Sequence, residues 1–165
     1  MARSIAEYPE EFRYLILALQ RQGNRQLNNL FGKLDLTTSQ AEAIEIVGMH
    51  GPLSTREVGS HLICESGSPS RLLATLAAKG LTISSQSTVD KRATLHALTP
   101  KGRDLLIRIK DLKSAFHNEL RGALQTMSEA HPSDVLSQLA HLLTDRELTA
   151  AMKKRYPHIF TDLER

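Results

Sequence analysis

The chain has 165 residues, 41% hydrophobic and 24% charged, which fits one folded domain with or without arms and excludes a disordered chain. Its longest unbroken apolar run is Leu15–Leu19, and residues 1–7 hold no hydrophobic stretch, so neither a membrane span nor a secretory signal is expected. The net charge of +3 is unevenly spread: residues 53–110 carry nine Lys/Arg against four Asp/Glu, while 1–52 carry five against six and 111–165 seven against eight. A basic middle between near-neutral arms points to a module that binds a polyanion, or to a chance excess on a solvated face.

Leucine fills 26 positions and Trp is absent, a core composition that favours helix. Pro9 opens a first helix, with Phe12, Leu15, Ile16 and Leu19 at helical spacing and Leu27, Leu30 and Phe31 extending the stripe. Thr37-Thr38-Ser39-Gln40 reads as a capping box for a second helix through Ala43, Ile44, Val47 and His50, stopped by Gly51-Pro52. Ser54-Thr55-Arg56-Glu57 is another capping box, opening a short helix that buries Val58 and Leu62. A turn follows at Cys64–Gly67. Ser68 then caps a helix with Pro69 at its first position, ended by Gly80.

Beyond Gly80 the helical stripe disappears. Residues 82–88 and 94–98 read as the strands of a small hairpin with a charged tip between them. Thr99-Pro100 caps a long helix whose stripe is Leu105, Ile109, Leu112, Phe116, Leu120, Ala123 and Met127. His131-Pro132-Ser133 breaks it. A further helix carries Val135, Leu136, Leu139, Leu142 and Leu143, and Thr144–Glu147 caps one more before Pro157. The expected fold is mainly α with a small β-hairpin wing: a winged helix-turn-helix with N- and C-terminal dimerisation helices.

The helix after Pro69 has two faces. Leu72, Leu73 and Leu76 share one side, while Ser70, Arg71, Ala74, Thr75 and Ala78 share the other. The second face has no bulky apolar group, and no acid occurs between Ser66 and Ser87. Such a face fits a major groove about 12 Å wide. Arg71 can bond guanine or phosphate, the hydroxyls of Ser68, Ser70 and Thr75 can bond either, and Ala74 can touch a thymine methyl. An ordinary solvated helix face is the alternative. At the hairpin tip, Lys91 and Arg92 can reach phosphates or a minor groove; a soluble charged turn is the alternative there.

From Leu36 to Leu106 the residues resemble the MarR-type winged helix-turn-helix regulators. The likeness lies in Leu36-Thr37-Thr38-Ser39-Gln40, His50-Gly51-Pro52-Leu53-Ser54, Leu76-Ala77-Ala78-Lys79-Gly80-Leu81, Asp90-Lys91-Arg92-Ala93 and Leu98-Thr99-Pro100-Lys101-Gly102. The resemblance implies a homodimer on a palindromic double-stranded operator, with Arg92 in the minor groove and Asp90 orienting it. It also implies a small-molecule effector pocket, which here would be lined by Leu15, Leu19, Met49, Leu112 and Phe116. The chain departs from the family pattern at Ser84, at His96 and in a longer tail beyond Thr144.

The expected organisation is an N-terminal dimerisation helix at 1–36, a DNA-binding lobe at 37–100 and C-terminal dimerisation helices at 101–165. The long apolar stripes of the two arms independently suggest a dimer. The expected function is a sequence-specific transcriptional regulator, a repressor relieved by an effector, with no catalytic residues, no cofactor and a cytoplasmic location. The lone Cys64 cannot form an internal disulfide. It reads either as a small buried filler or as a redox switch, the latter making the chain a thiol-sensing regulator. The resemblance admits thiol sensors, but their best-known cysteine lies in the first helix, which has none here. Seven histidines invite a metal-binding regulator, yet none forms an i, i+4 pair, and scattered surface histidines are expected instead. A helical dimer that binds no DNA is a further alternative.

Overall fold

A computed structural model describes residues 8–64, 67–125 and 132–163. The chain divides into two units, residues 1–38 and 39–165. Among its described residues the first holds one long helix, α1 (Pro9–Gly32), with proline in its first turn. Leu15, Ile16, Leu17 and Leu19 all leave large parts of their side chains in water. Asp35, at φ 55°, turns the chain after the helix, and the Thr38 hydroxyl donates to Asn28 Oδ1 at 2.8 Å.

The second unit holds α2 (Thr38–His50), β1 (Leu53–Ser54), α3 (Thr55–Gly59), α4 (Pro69–Ala78), β2 (Thr82–Gln86), β3 (Thr94–Leu98), α5 (Pro100–Gln125), α6 (Pro132–His141) and α7 (Arg146–Arg155). A closing 3-10 helix, Pro157–Leu163, packs on α6 and α7. Ile44, Val58, Leu73, Leu76 and Ile109 are its largest fully buried side chains, so α2, α3, α4 and α5 share one core. Each such side chain contributes about 1.5–3 kcal/mol by leaving water. Lys113 on α5 is paired with Glu45 on α2 at 2.7 Å.

The expected capping box at α3 is present. Glu57 N–H donates to the Ser54 hydroxyl while Ser54 N–H donates to the Glu57 carboxylate at 2.8 Å. These bonds to Ser54 hold the Glu57 carboxyl below its ordinary pKa. The helix is shorter than expected, and Leu62 is buried just beyond it. Ser68 stands at the N-cap of α4 with no side-chain cap bond, contrary to expectation; the start rests on Pro69.

Gly80, at φ +70°, ends α4 in a left-handed turn that a side chain would strain, and Leu81 N–H returns to Leu76 O. Thr99 caps α5: its hydroxyl donates to Gly80 O and accepts from Gly102 N–H. A Cβ on Gly102 would collide with Leu81 O, which explains the glycine of the Thr-Pro-Lys-Gly run. The hairpin pairs β2 and β3 in antiparallel register, with Thr82 opposite Leu98. Two-residue β1 adds a third strand on the other side of β3, giving the order β1-β3-β2. So short a strand carries no alternation for sequence to reveal. Of the long α5 stripe, Met127 lies outside the described residues. Among the described residues, no helix is long and apolar enough to cross a membrane.

His96 corrects the expectation of scattered surface histidines. It is buried on β3, with Nε2 2.9 Å from the Thr55 hydroxyl and Nδ1 3.2 Å from the Ser84 hydroxyl. It thereby ties the start of α3 to both hairpin strands. Burial lowers its pKa below that of an ordinary imidazole. Between the two pKa values the unfolded chain binds the proton more readily. Stability from this group is therefore present above about pH 6.5 and lost as pH falls through the folded value. Thermal melts at pH 7.5 and 5.5 should show a loss at the lower pH that shrinks in His96→Gln. An equal loss in the variant would assign the effect elsewhere, for instance to His61, whose pKa is also lowered by burial.

Candidate nucleic-acid interface

The core of the second unit takes Leu72, Leu73 and Leu76 from α4 and turns the rest of the helix outward. Ser70, Arg71, Ala74, Ala77 and Ala78 are exposed and Thr75 is half-buried. Ala77, overlooked in the sequence, widens the smooth part of the face. Thr75 donates to Arg71 O at 2.9 Å, so its hydroxyl oxygen keeps acceptor capacity. Ser68 lies exposed at the start of the helix.

The wing tip is built by its own hydrogen bonds. The Ser87 hydroxyl accepts from Val89 and Asp90 N–H, each at 3.2 Å, and Ala93 N–H donates to Asp90 O at 2.9 Å. Asp90 Oδ1 accepts from the Arg92 backbone N–H at 2.9 Å. Asp90 therefore acts on Arg92 through the main chain and not through its guanidinium, a different route from the one expected. The Gln86 amide donates to Lys91 O, a brace that the sequence did not suggest.

The basic excess of the middle third divides by use. Lys101 Nζ donates to Lys79 O and Arg103 Nη1 to Leu98 O, so these two cations serve the fold. Arg71, Lys91 and Arg92 are exposed, and their side chains have no partner among the described residues. They are the cations of α4 and the wing tip that can meet an anion; Arg56, Arg108 and Lys110 are also exposed.

Other candidate residues lie apart from this surface. Cys64 is exposed rather than a buried filler, yet partial desolvation of its thiol and the neighbouring Glu42 carboxylate push its pKa up to about 11. At neutral pH it is a thiol, the poorly reactive form. Leu15 and Leu19, in the first unit, and Met49, in the second, are each more than half exposed. Leu112 and Phe116 are half-buried on α5. His50 and His61 stack with ring centroids 5.0 Å apart. Among the described residues, no group of three or more His, Cys, Asp or Glu is placed to hold a metal ion.

Residues 36–102 match the family model of the winged helix DNA-binding domain. By sequence, the chain is 28% identical over 99 residues to the organic hydroperoxide resistance transcriptional regulator of Bacillus subtilis (strain 168), covering 60% of this chain and 67% of that one. By fold, it is similar to a MarR-like transcription regulator from Bacillus cereus ATCC 10987, with a TM-score of 0.67, 18% identity, and 81% and 96% of the two chains covered. It is equally similar to MepR of S. aureus in a DNA complex, with a TM-score of 0.68, 19% identity, and 81% and 96% covered. The first two are transcription regulators, and the domain match spans both the outward face of α4 and the wing tip. Residues 36–102 thus carry a winged helix DNA-binding domain, in a chain that shares the fold of MarR-like regulators.

Proposed function

We propose that the chain binds a palindromic operator as a homodimer in the cytoplasm and represses from it until a small-molecule effector relieves binding. One observation carries this reading: α4 presents Ser70, Arg71, Ala74 and Thr75 on a face free of acids and bulky apolar groups, in the same lobe as the cationic wing tip. Such a face can approach base edges, while Arg71, Lys91 and Arg92 meet guanine or phosphate. The S. aureus neighbour, solved with DNA, supports the partner class.

The exposed apolar side chains of α1, α5 and α6, among them Leu19, Leu120, Leu124, Leu136 and Leu139, support a dimer built by the arms. Sedimentation at micromolar concentration should give a dimer; a monomer there would refute this part. Two recognition helices related by a two-fold should read half-sites about 10 bp apart.

A second reading, a switch through Cys64, is favoured by the hydroperoxide-resistance relative and opposed by the raised thiol pKa. Selection of bound duplexes from a random pool, with and without oxidant, separates the readings. A two-fold symmetric motif enriched under both conditions supports effector control. A motif lost only with oxidant, and kept in Cys64→Ser, supports the thiol switch. Enrichment of no motif contradicts both.

A further inference from the structure

The corner between α3 and α4 is held by a buried charge. Glu42 on α2 is only 5% exposed. Its carboxylate accepts the Ile63 N–H at 3.1 Å and the Cys64 N–H at 2.8 Å, while the Ser39 hydroxyl donates to Cys64 O at 2.9 Å. A carboxylate this buried is costly unless paired, because amide bonds alone do not offset the loss of water around a full charge. The missing cation comes from the far end of the chain. Arg155 Nη1 lies 2.9 Å from Glu42 Oε1. Beside it, Lys154 Nζ donates to the Ser60 hydroxyl at 2.7 Å. Both residues sit in the last turn of α7, where cations also favour the helix end.

The tail is built to hold them there. Asp145 caps α7 by accepting from Glu147 and Leu148 N–H, and Ala151 and Phe160 are buried where α7 and the 3-10 helix pack. The first turns of α7 face the corner across a cavity of about 530 Å³ lined in part by Leu62, Pro69, Glu147 and Leu148. The polar grip on the corner is therefore at the C-terminal end of α7.

We propose that α7 is a clamp on the helix-turn-helix, with Arg155 and Lys154 as positioning residues that fix the corner and hence the angle at which α4 is presented. The proposal rests on the DNA-binding reading of α4. Arg155 acts through Glu42, whose carboxylate fixes the Ile63 and Cys64 amides a few residues before α4 begins. Its guanidinium is engaged by the buried Glu42 carboxylate and does not bind phosphate.

Amide hydrogen exchange of the free protein and operator titrations over a range of salt test the clamp. Arg155→Ala should speed exchange at Ile63 and Cys64 and weaken operator binding about tenfold, with the slope of log affinity against log salt unchanged. Arg155→Lys, which keeps the cation, should recover most of the loss. In a Glu42→Gln background, Arg155→Ala should add less than about twofold, because no buried charge remains for it to serve. Lys154→Ala should shift exchange and affinity in the same direction by less. It also serves as the mild variant should Arg155→Ala unfold. Unchanged exchange at Ile63 and Cys64 in Arg155→Ala overturns the clamp whether or not the chain binds DNA. So does a salt slope reduced by about one unit, the mark of a phosphate no longer neutralised, or full additivity with Glu42→Gln. A wild-type chain that prefers no DNA sequence ends the operator reading alone, because the exchange arm still decides the clamp.

Discussion

Arg71→Ala is expected to weaken operator binding by about 1–3 kcal/mol, a factor of roughly 5 to 150, and to relax the preference at one base pair of each half-site. The expectation follows from the position of the residue. Arg71 is the lone cation on the outward face of α4, it is exposed, and its side chain has no partner among the described residues. Removing it disturbs nothing within the fold, so melting should be unaffected. Competition with operators changed one base at a time checks the claim. A loss that vanishes only on operators changed at one position marks a base contact. A loss equal at every position would make Arg71 a phosphate ligand and remove it from sequence readout.

Arg92→Ala and Asp90→Ala form the second test. Arg92→Ala should weaken binding to most operator variants by a similar factor and flatten the salt dependence by about one unit of slope for each phosphate that Arg92 neutralises. Asp90→Ala should cause a smaller loss in the same direction, although it removes a negative charge from near DNA. The reason is local. Asp90 accepts the Arg92 backbone N–H at 2.9 Å, which presets the turn that aims the Arg92 side chain and reduces the entropy lost on binding. Simple electrostatics gives the opposite sign. If Asp90→Ala binds operator more tightly at physiological salt, the tip is a diffuse basic patch and the turn has no orienting role.

What the sequence revealed was local. Pro9, the Ser54–Glu57 box and Thr99 each signal a helix start through atoms within four residues, and each start stands where the pattern put it. Gly80 marked the end of α4 for a similar reason, since few other residues tolerate its φ. The two faces of α4 were legible because its leucines follow one helical period. What stayed hidden depends on partners far along the chain. His96 is buried because Thr55 and Ser84 flank it across the sheet. Glu42 reads in the sequence as one more helical acid, and only Arg155 and the Ile63 and Cys64 amides make it the anchor of the corner. Ser68 has a favourable cap residue type but makes no side-chain cap bond, and residue type alone does not reveal that. Asp90 was expected to orient the Arg92 guanidinium, while its hydrogen bond to the Arg92 main-chain N–H could not be read from residue types.

On the proposed reading, this winged helix recognises sequence through α4 and the wing. The most direct measurement is the affinity of the wild-type chain for its selected operator against a scrambled duplex of equal length, at physiological salt. A preference of about 10³-fold or more is expected, carried by a site with two-fold symmetry. Equal affinity for the two duplexes would contradict it.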